Sequence, residues 1–287
     1  LCERKIVKKF LKWTGFVVVG VVAVALAAFA WLYLASERVL AREYTATDPV
    51  SLTIPGEATE ISEGHRIAQL AGCLHCHGDN LTGSVVDDIP NFVRLVAPNI
   101  STLLPAYSDA QLATMLRKGV KPDGHSVLFM PSEMFRHLGD ADLARLIAWL
   151  RTMPAIPEGV EEKTQVRIIG RLILANGDYQ PGALAIESLP AAVNTFDAND
   201  PVSHGRYLTM NFCSECHGQD LQGFAPINAP ALAVAKGYSP EQFTRLMHDG
   251  VALGNRELKL MGPTSRARFA NLTPDETAAV HAFLRTL

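Results

Sequence analysis

The chain has 287 residues, room for about two domains, with 48% hydrophobic and 19% charged residues and a formal net charge of −3. Without residues 1–36 the remainder holds 21 basic and 28 acidic side chains, a net of −7. That balance argues against nucleic-acid binding and against a body lying on an anionic bilayer, and it suits basic protein partners. Four of the five cysteines fall in two short motifs, which leaves no disulfide framework.

From Trp13 to Ser36 no residue is charged. A helix of that length crosses about 30 Å of hydrocarbon. Trp13, Trp31 and Tyr33 stand near its ends, where aromatic rings favour the interface. Arg4, Lys5, Lys8, Lys9 and Lys12 precede it, and Arg38 and Arg42 follow it. The basic excess places residues 1–12 in the cytoplasm and everything after the span outside. A cleaved signal peptide processed at Ala28-Phe29-Ala30 is the alternative, but the uncharged stretch exceeds an h-region of about 7–15 residues. The expectation is an uncleaved transmembrane helix over residues 13–36. Cys2, ahead of the span, receives no role.

Beyond the span the same order of signals occurs twice, from about Gly64 to Pro154 and from about Gly205 to Leu287. Each copy opens on a helical stretch that enters a Cys-x-x-Cys-His motif. The first reads Cys73-Leu74-His75-Cys76-His77 and the second Cys213-Ser214-Glu215-Cys216-His217, each followed by glycine. Two cysteines three apart share one side of a helical turn, where both can add to the vinyl groups of one porphyrin. The next histidine sits under the iron as proximal ligand. A zinc ribbon would need pairs about 15–20 residues apart, and a thioredoxin-type pair a βαβ pattern; the chain has neither. His75, inside the first motif, is expected to face solvent or a propionate.

Tyr107-Ser108-Asp109-Ala110-Gln111 in the first copy matches Tyr238-Ser239-Pro240-Glu241-Gln242 in the second. Serine as N-cap with glutamine three residues on reads as a capping box, with Pro240 at the first helical position. Both predicted helices end in Gly-Val, at Gly119 and Gly250, and eleven residues later come Met130 and Met261. A last helix opens at Asp140 in one copy and at Thr273-Pro274-Asp275-Glu276, another capping box, in the other. Between the copies, residues 155–200 begin Pro-rich and acidic and then carry the apolar run Val166–Leu174. That run is expected to pack over one of the two copies or against another subunit, as helix or strand. His65, His125, His137, His204, His248 and His281 fit no motif and are expected at the surface or at helix caps.

This order of helix, haem motif, loop, middle helix, methionine loop and last helix resembles class I cytochrome c domains, in both copies. The resemblance implies an all-α fold: a transmembrane helix followed by two tandem cytochrome c domains, at 37–154 and 201–287, joined by a linker at 155–200. It implies two covalently bound haem c groups on Cys73 and Cys76 and on Cys213 and Cys216. The axial pairs would be His77 with Met130 and His217 with Met261; Met130 precedes Pro131, as in the family, whereas Gly262 separates Met261 from Pro263. Gly64 with Trp149 and Gly205 with Phe283 fit the family's crossing of first and last helices. Pro98 and Pro230 match its carbonyl acceptors for the proximal histidines. The function implied is electron relay, not catalysis, at the outer face of a bacterial inner membrane. The partners would be other subunits of a membrane redox complex or a periplasmic donor or acceptor. A dihaem peroxidase and a freely acting tethered shuttle are the alternatives; matched methionines in both copies speak against the first.

Overall fold

The computed structural model describes residues 2–45 and 50–287, with the side chains of residues 2–7 left out. The side chains of Cys2, Arg4 and Lys5 thus lie outside the described ones. Helix α1 (Cys2–Leu40) is built from Val, Ala and Leu with no proline to break it. Among the described residues it is the one helix long and apolar enough to cross a membrane, and its apolar window is left unburied.

The first repeat contains α2 (Ala58–Leu70), α3 (Cys73–His77), α4 (Asp109–Lys118), α5 (Ser132–Phe135) and α6 (Asp140–Thr152). A hairpin of β1 (Ser84–Ile89) and β2 (Val93–Ala97) lies between α3 and α4, in antiparallel register from Ser84 against Ala97 to Ile89 against Val93. The fold is helical, and this small sheet is its one sizeable departure from an all-α wrap. The capping box expected at Ser108 and Gln111 closes the start of α4. Gly119, at φ 67°, ends that helix in the left-handed conformation that favours glycine.

Residues 155–200 are laid over the first repeat. Val160 N–H donates to Thr82 O, Asn99 Nδ2 donates to Ile156 O, and Thr164 Oγ1 accepts from Val96 N–H. The apolar run divides between two conformations. Strand β3 (Gln165–Val166) extends the sheet beside β2, and α7 (Ile168–Asn176) follows at once. Helix α7 packs against the C-terminal end of α1, where Arg171 stacks over the Tyr33 ring at 4.3 Å and pairs with Glu37 at 2.7 Å. A short α8 (Gly182–Glu187) then docks against the first repeat, Gly182 N–H donating to Val127 O.

The second repeat contains α9 (Pro201–Phe212), α10 (Ser214–His217), α11 (Pro240–Asp249), α12 (Met261–Ala267) and α13 (Pro274–Leu284), and 3-10 turns replace the hairpin. Capping boxes form at Ser239–Gln242 and Thr273–Glu276. In each repeat the first and last helices cross at a glycine. A Cβ on Gly64 would stand 1.9 Å from Arg145 O, and one on Gly205 1.9 Å from Ala279 O, with the Cβ atoms of Trp149 and Phe283 close behind. No residue but glycine fits such a backbone approach without moving a helix.

The two repeats meet through equivalent positions. Two residues after the crossing glycine stand Arg66 and Tyr207. Arg66 pairs at 2.7 Å with Glu276, the third residue of α13. The Tyr207 hydroxyl donates to Asp142, the third residue of α6, at 2.5 Å. Carbonyls two residues before each last-helix N-cap are also engaged: Arg66 donates to Asn271 O at 2.9 Å and Asn211 to His137 O at 3.1 Å. The interface is a pseudo-twofold, and buried apolar residues of both repeats form one continuous core.

Candidate haem-binding sites

Each Cys-x-x-Cys-His motif is a single helical turn at the end of a longer helix, α3 after α2 and α10 after α9. The turn is closed from below by the same hydrogen bonds in both copies. The carbonyl of His77 accepts from Gly83 N–H at 2.9 Å, and that of His217 from Gly223 N–H at 2.8 Å. Four residues beyond each histidine a buried leucine holds positive φ, Leu81 at 59° and Leu221 at 60°. Such a backbone costs about 1–3 kcal/mol and persists only where surroundings impose it. Here the Leu81 carbonyl accepts from Ile100 and Ser101, and that of Leu221 from Leu232. Sequence reasoning missed these leucines, and with them Gly83 and Gly223. Their equal spacing from the two histidines was the available signal.

That loop brings a proline carbonyl to each histidine. His77 Nδ1 lies 3.0 Å from Pro98 O, and His217 Nδ1 2.8 Å from Pro230 O. A carbonyl only accepts, so Nδ1 carries the proton and Nε2 keeps its lone pair free. Burial lowers the pKa of both imidazoles, against the opposing effect of the carbonyl bond. Each ring is therefore neutral and oriented, as an iron-ligating imidazole must be.

The four motif cysteines are free thiols. Burial pushes Cys73 and Cys213 up to about 12, and raises Cys76 and Cys216 as well. Among the described residues no group of three or more His, Cys, Asp or Glu assembles as a metal-ion site. Met130 directly precedes Pro131, the N-cap of α5, and Met261 opens α12. Both are half-buried at the edge of the core, as are Cys73 and Cys213. Met134 and Met247 lie fully in the core, and Met115 and Met153 pack against it. Free thiols, an oriented imidazole and a thioether at the core's margin fit a covalently attached haem in each repeat.

Two of the histidines expected at the surface are buried. His137 Nδ1 accepts from Val193 N–H at 2.8 Å and its Nε2 donates to Gln219 Oε1 at 2.9 Å, bridging the repeats. His281 stacks on Phe243 with ring centroids 4.6 Å apart. His137 is buried with both ring nitrogens hydrogen-bonded, whereas His281 keeps a buried Nε2 without a partner; nothing in their local sequence distinguishes them.

A helical wrap with a crossing glycine, a Cys-x-x-Cys-His turn and a carbonyl-held histidine defines a cytochrome c domain. The cytochrome c family model matches residues 61–154 and 202–287, and the chain belongs to that family. It is thus an electron-transfer cytochrome carrying covalent haem c. The chain is also 28% identical over 215 residues to the fructose dehydrogenase cytochrome subunit of Gluconobacter japonicus. That alignment takes in 71% of this chain and 43% of the relative, so the chain spans less than half the relative's length.

Proposed function

We propose that the chain is a membrane-anchored dihaem cytochrome c that relays electrons on the periplasmic side, as the cytochrome subunit of a membrane dehydrogenase complex. The observation that carries this reading is the doubled site, two motif histidines each held through Nδ1 by a proline carbonyl. In each repeat haem c would supply one-electron exchange between Fe(III) and Fe(II). Cys73 and Cys76, and Cys213 and Cys216, would tether it through thioether bonds. His77 and His217 would present Nε2 on one side, their ring orientation set by Pro98 and Pro230. Met130 and Met261 would close the other side, keeping small ligands off and raising the potential. The domains would fall at 37–154 and 201–287, with 155–200 between them.

The anchor reading rests on the 13–36 stretch inside α1, and its orientation on the basic residues before it. The dehydrogenase reading rests on the relative, which is a dehydrogenase's cytochrome subunit. Two measurements test the proposal. The purified chain should yield two haems per polypeptide by pyridine haemochrome assay, and neither should bind cyanide readily. Mildly solubilised membranes on a native gel should place haem stain in a band shared with a dehydrogenase subunit. One haem per chain sinks the dihaem reading, ready cyanide binding points to a peroxidase-type centre, and a band at the chain's own mass points to a lone shuttle.

A further inference from the structure

Arg268 ends α12 and is a charged residue only 8% exposed. Its guanidinium reaches both repeats. Nε donates to Leu70 O at 2.9 Å, Nη2 to Phe212 O at 3.5 Å, and Nη1 to Glu215 Oε2 at 2.9 Å. Leu70 is the last residue of α2 and Phe212 the last of α9, the two helices that run into the attachment motifs. Helix C-terminal carbonyls carry partial negative charge, so a cation between two of them is favourably placed. Glu215 lies inside the second motif itself. On the other side, a Cβ at Gly72, the residue before Cys73, would stand 3.0 Å from the guanidinium carbon. This arginine also occurs in one repeat only. Four residues before Leu272 stands Arg268, and four before Leu138 stands Met134, an apolar side chain with no exposure.

We infer that Arg268 is a positioning residue for electron transfer: its hydrogen bonds hold the two attachment motifs in register, and its charge favours the reduced state of both centres, with Glu215 opposing it. The inference rests on the dihaem reading above. Each reduction takes one electron from the external donor or the other centre, converts Fe(III) to Fe(II), and needs no proton. It removes one unit of positive charge, so a nearby cation favours it and a nearby carboxylate disfavours it. An unpaired cation would be costly at this depth; Glu215 and the two carbonyls keep Arg268 satisfied.

The test is a potentiometric titration of the full-length haem-loaded protein in detergent, followed at the haem α-band, beside thermal melts. Arg268→Met, which copies the other repeat, should lower the reduced-to-oxidised ratio at fixed potential on the order of tenfold at one or both steps. Arg268→Lys keeps the charge but loses the fork of hydrogen bonds, and should hold both potentials near wild type while lowering the melting temperature. Glu215→Gln should shift both potentials upward. Arg66→Met loosens the same interface away from the motifs and should leave potentials unmoved. Potentials unchanged in Arg268→Met, or moved equally by Arg66→Met, would overturn the inference. A wild-type titration with one step and one haem per chain would instead bring down the dihaem reading, so the two failures are separable.

Discussion

The two repeats solve one problem with different surroundings. In the second, the 13 residues from His217 to Pro230 are spanned by a tight loop with one 3-10 turn; in the first, the 21 from His77 to Pro98 include a β-hairpin. Both loops nevertheless bring a carbonyl to within 0.2 Å of the same distance from Nδ1. What both share is the turn itself, a left-handed leucine and a second glycine tied back to the histidine's carbonyl. The loop length beyond that turn is free to vary, and in the first repeat the added hairpin receives β3, while the strap before β3 is tied to residues on either side of the hairpin. The histidine's setting is thus fixed locally, while the repeat's outer face serves to fasten the chain to α1.

The comparison breaks most sharply at the helix crossings. Gly64→Ala and Gly205→Ala should each cost about 3 kcal/mol or more, because the new methyl meets backbone and not a flexible side chain. Denaturant melts of both variants measure this, and a large cost in one repeat alone would end the equivalence. Next comes His137, which has no bridging counterpart. Burial holds its pKa down at about 4, against an ordinary value of 6.5. A depressed folded pKa means the unfolded chain takes up the proton first. Stability is therefore full above about pH 6.5 and is lost as pH falls toward 4, on the order of 2–3 kcal/mol. Melts of wild type and His137→Asn at pH 7 and 5 should show the slope flattened in the variant. The smallest effects belong to the paired contacts. Arg66→Met and Tyr207→Phe should cost about 1–2 kcal/mol each, and the double variant should be additive if the two halves of the pseudo-twofold act independently.

Much of each repeat was legible because its signals are local. Ser108 with Gln111, Ser239 with Gln242 and Thr273 with Glu276 declare helix starts within four residues, and all three boxes form. Gly64 and Gly205 were readable through the family resemblance, which pairs a glycine of the first helix with an aromatic residue of the last. The contacts between repeats were not. Arg66 and Tyr207 share a position but no chemistry, so no sequence signature links them. Arg268 looks like any basic residue near a helix end, and its burial appears only once two distant helix termini converge on it. The run 166–174 resisted assignment because it begins on the last residue of a two-residue strand and then turns into helix, too short for either period to register.

The pseudo-twofold has one further consequence. Two identical copies meeting this way would form a homodimer, and symmetry would then place every side chain on both halves. Covalent fusion lifts that restriction. A tandem chain can carry arginine on one half and methionine on the other, and a strap on one half alone. The fused halves thus keep the crossing glycines and attachment turns alike while differing in what stands between the helix ends and in what is laid over their outer faces.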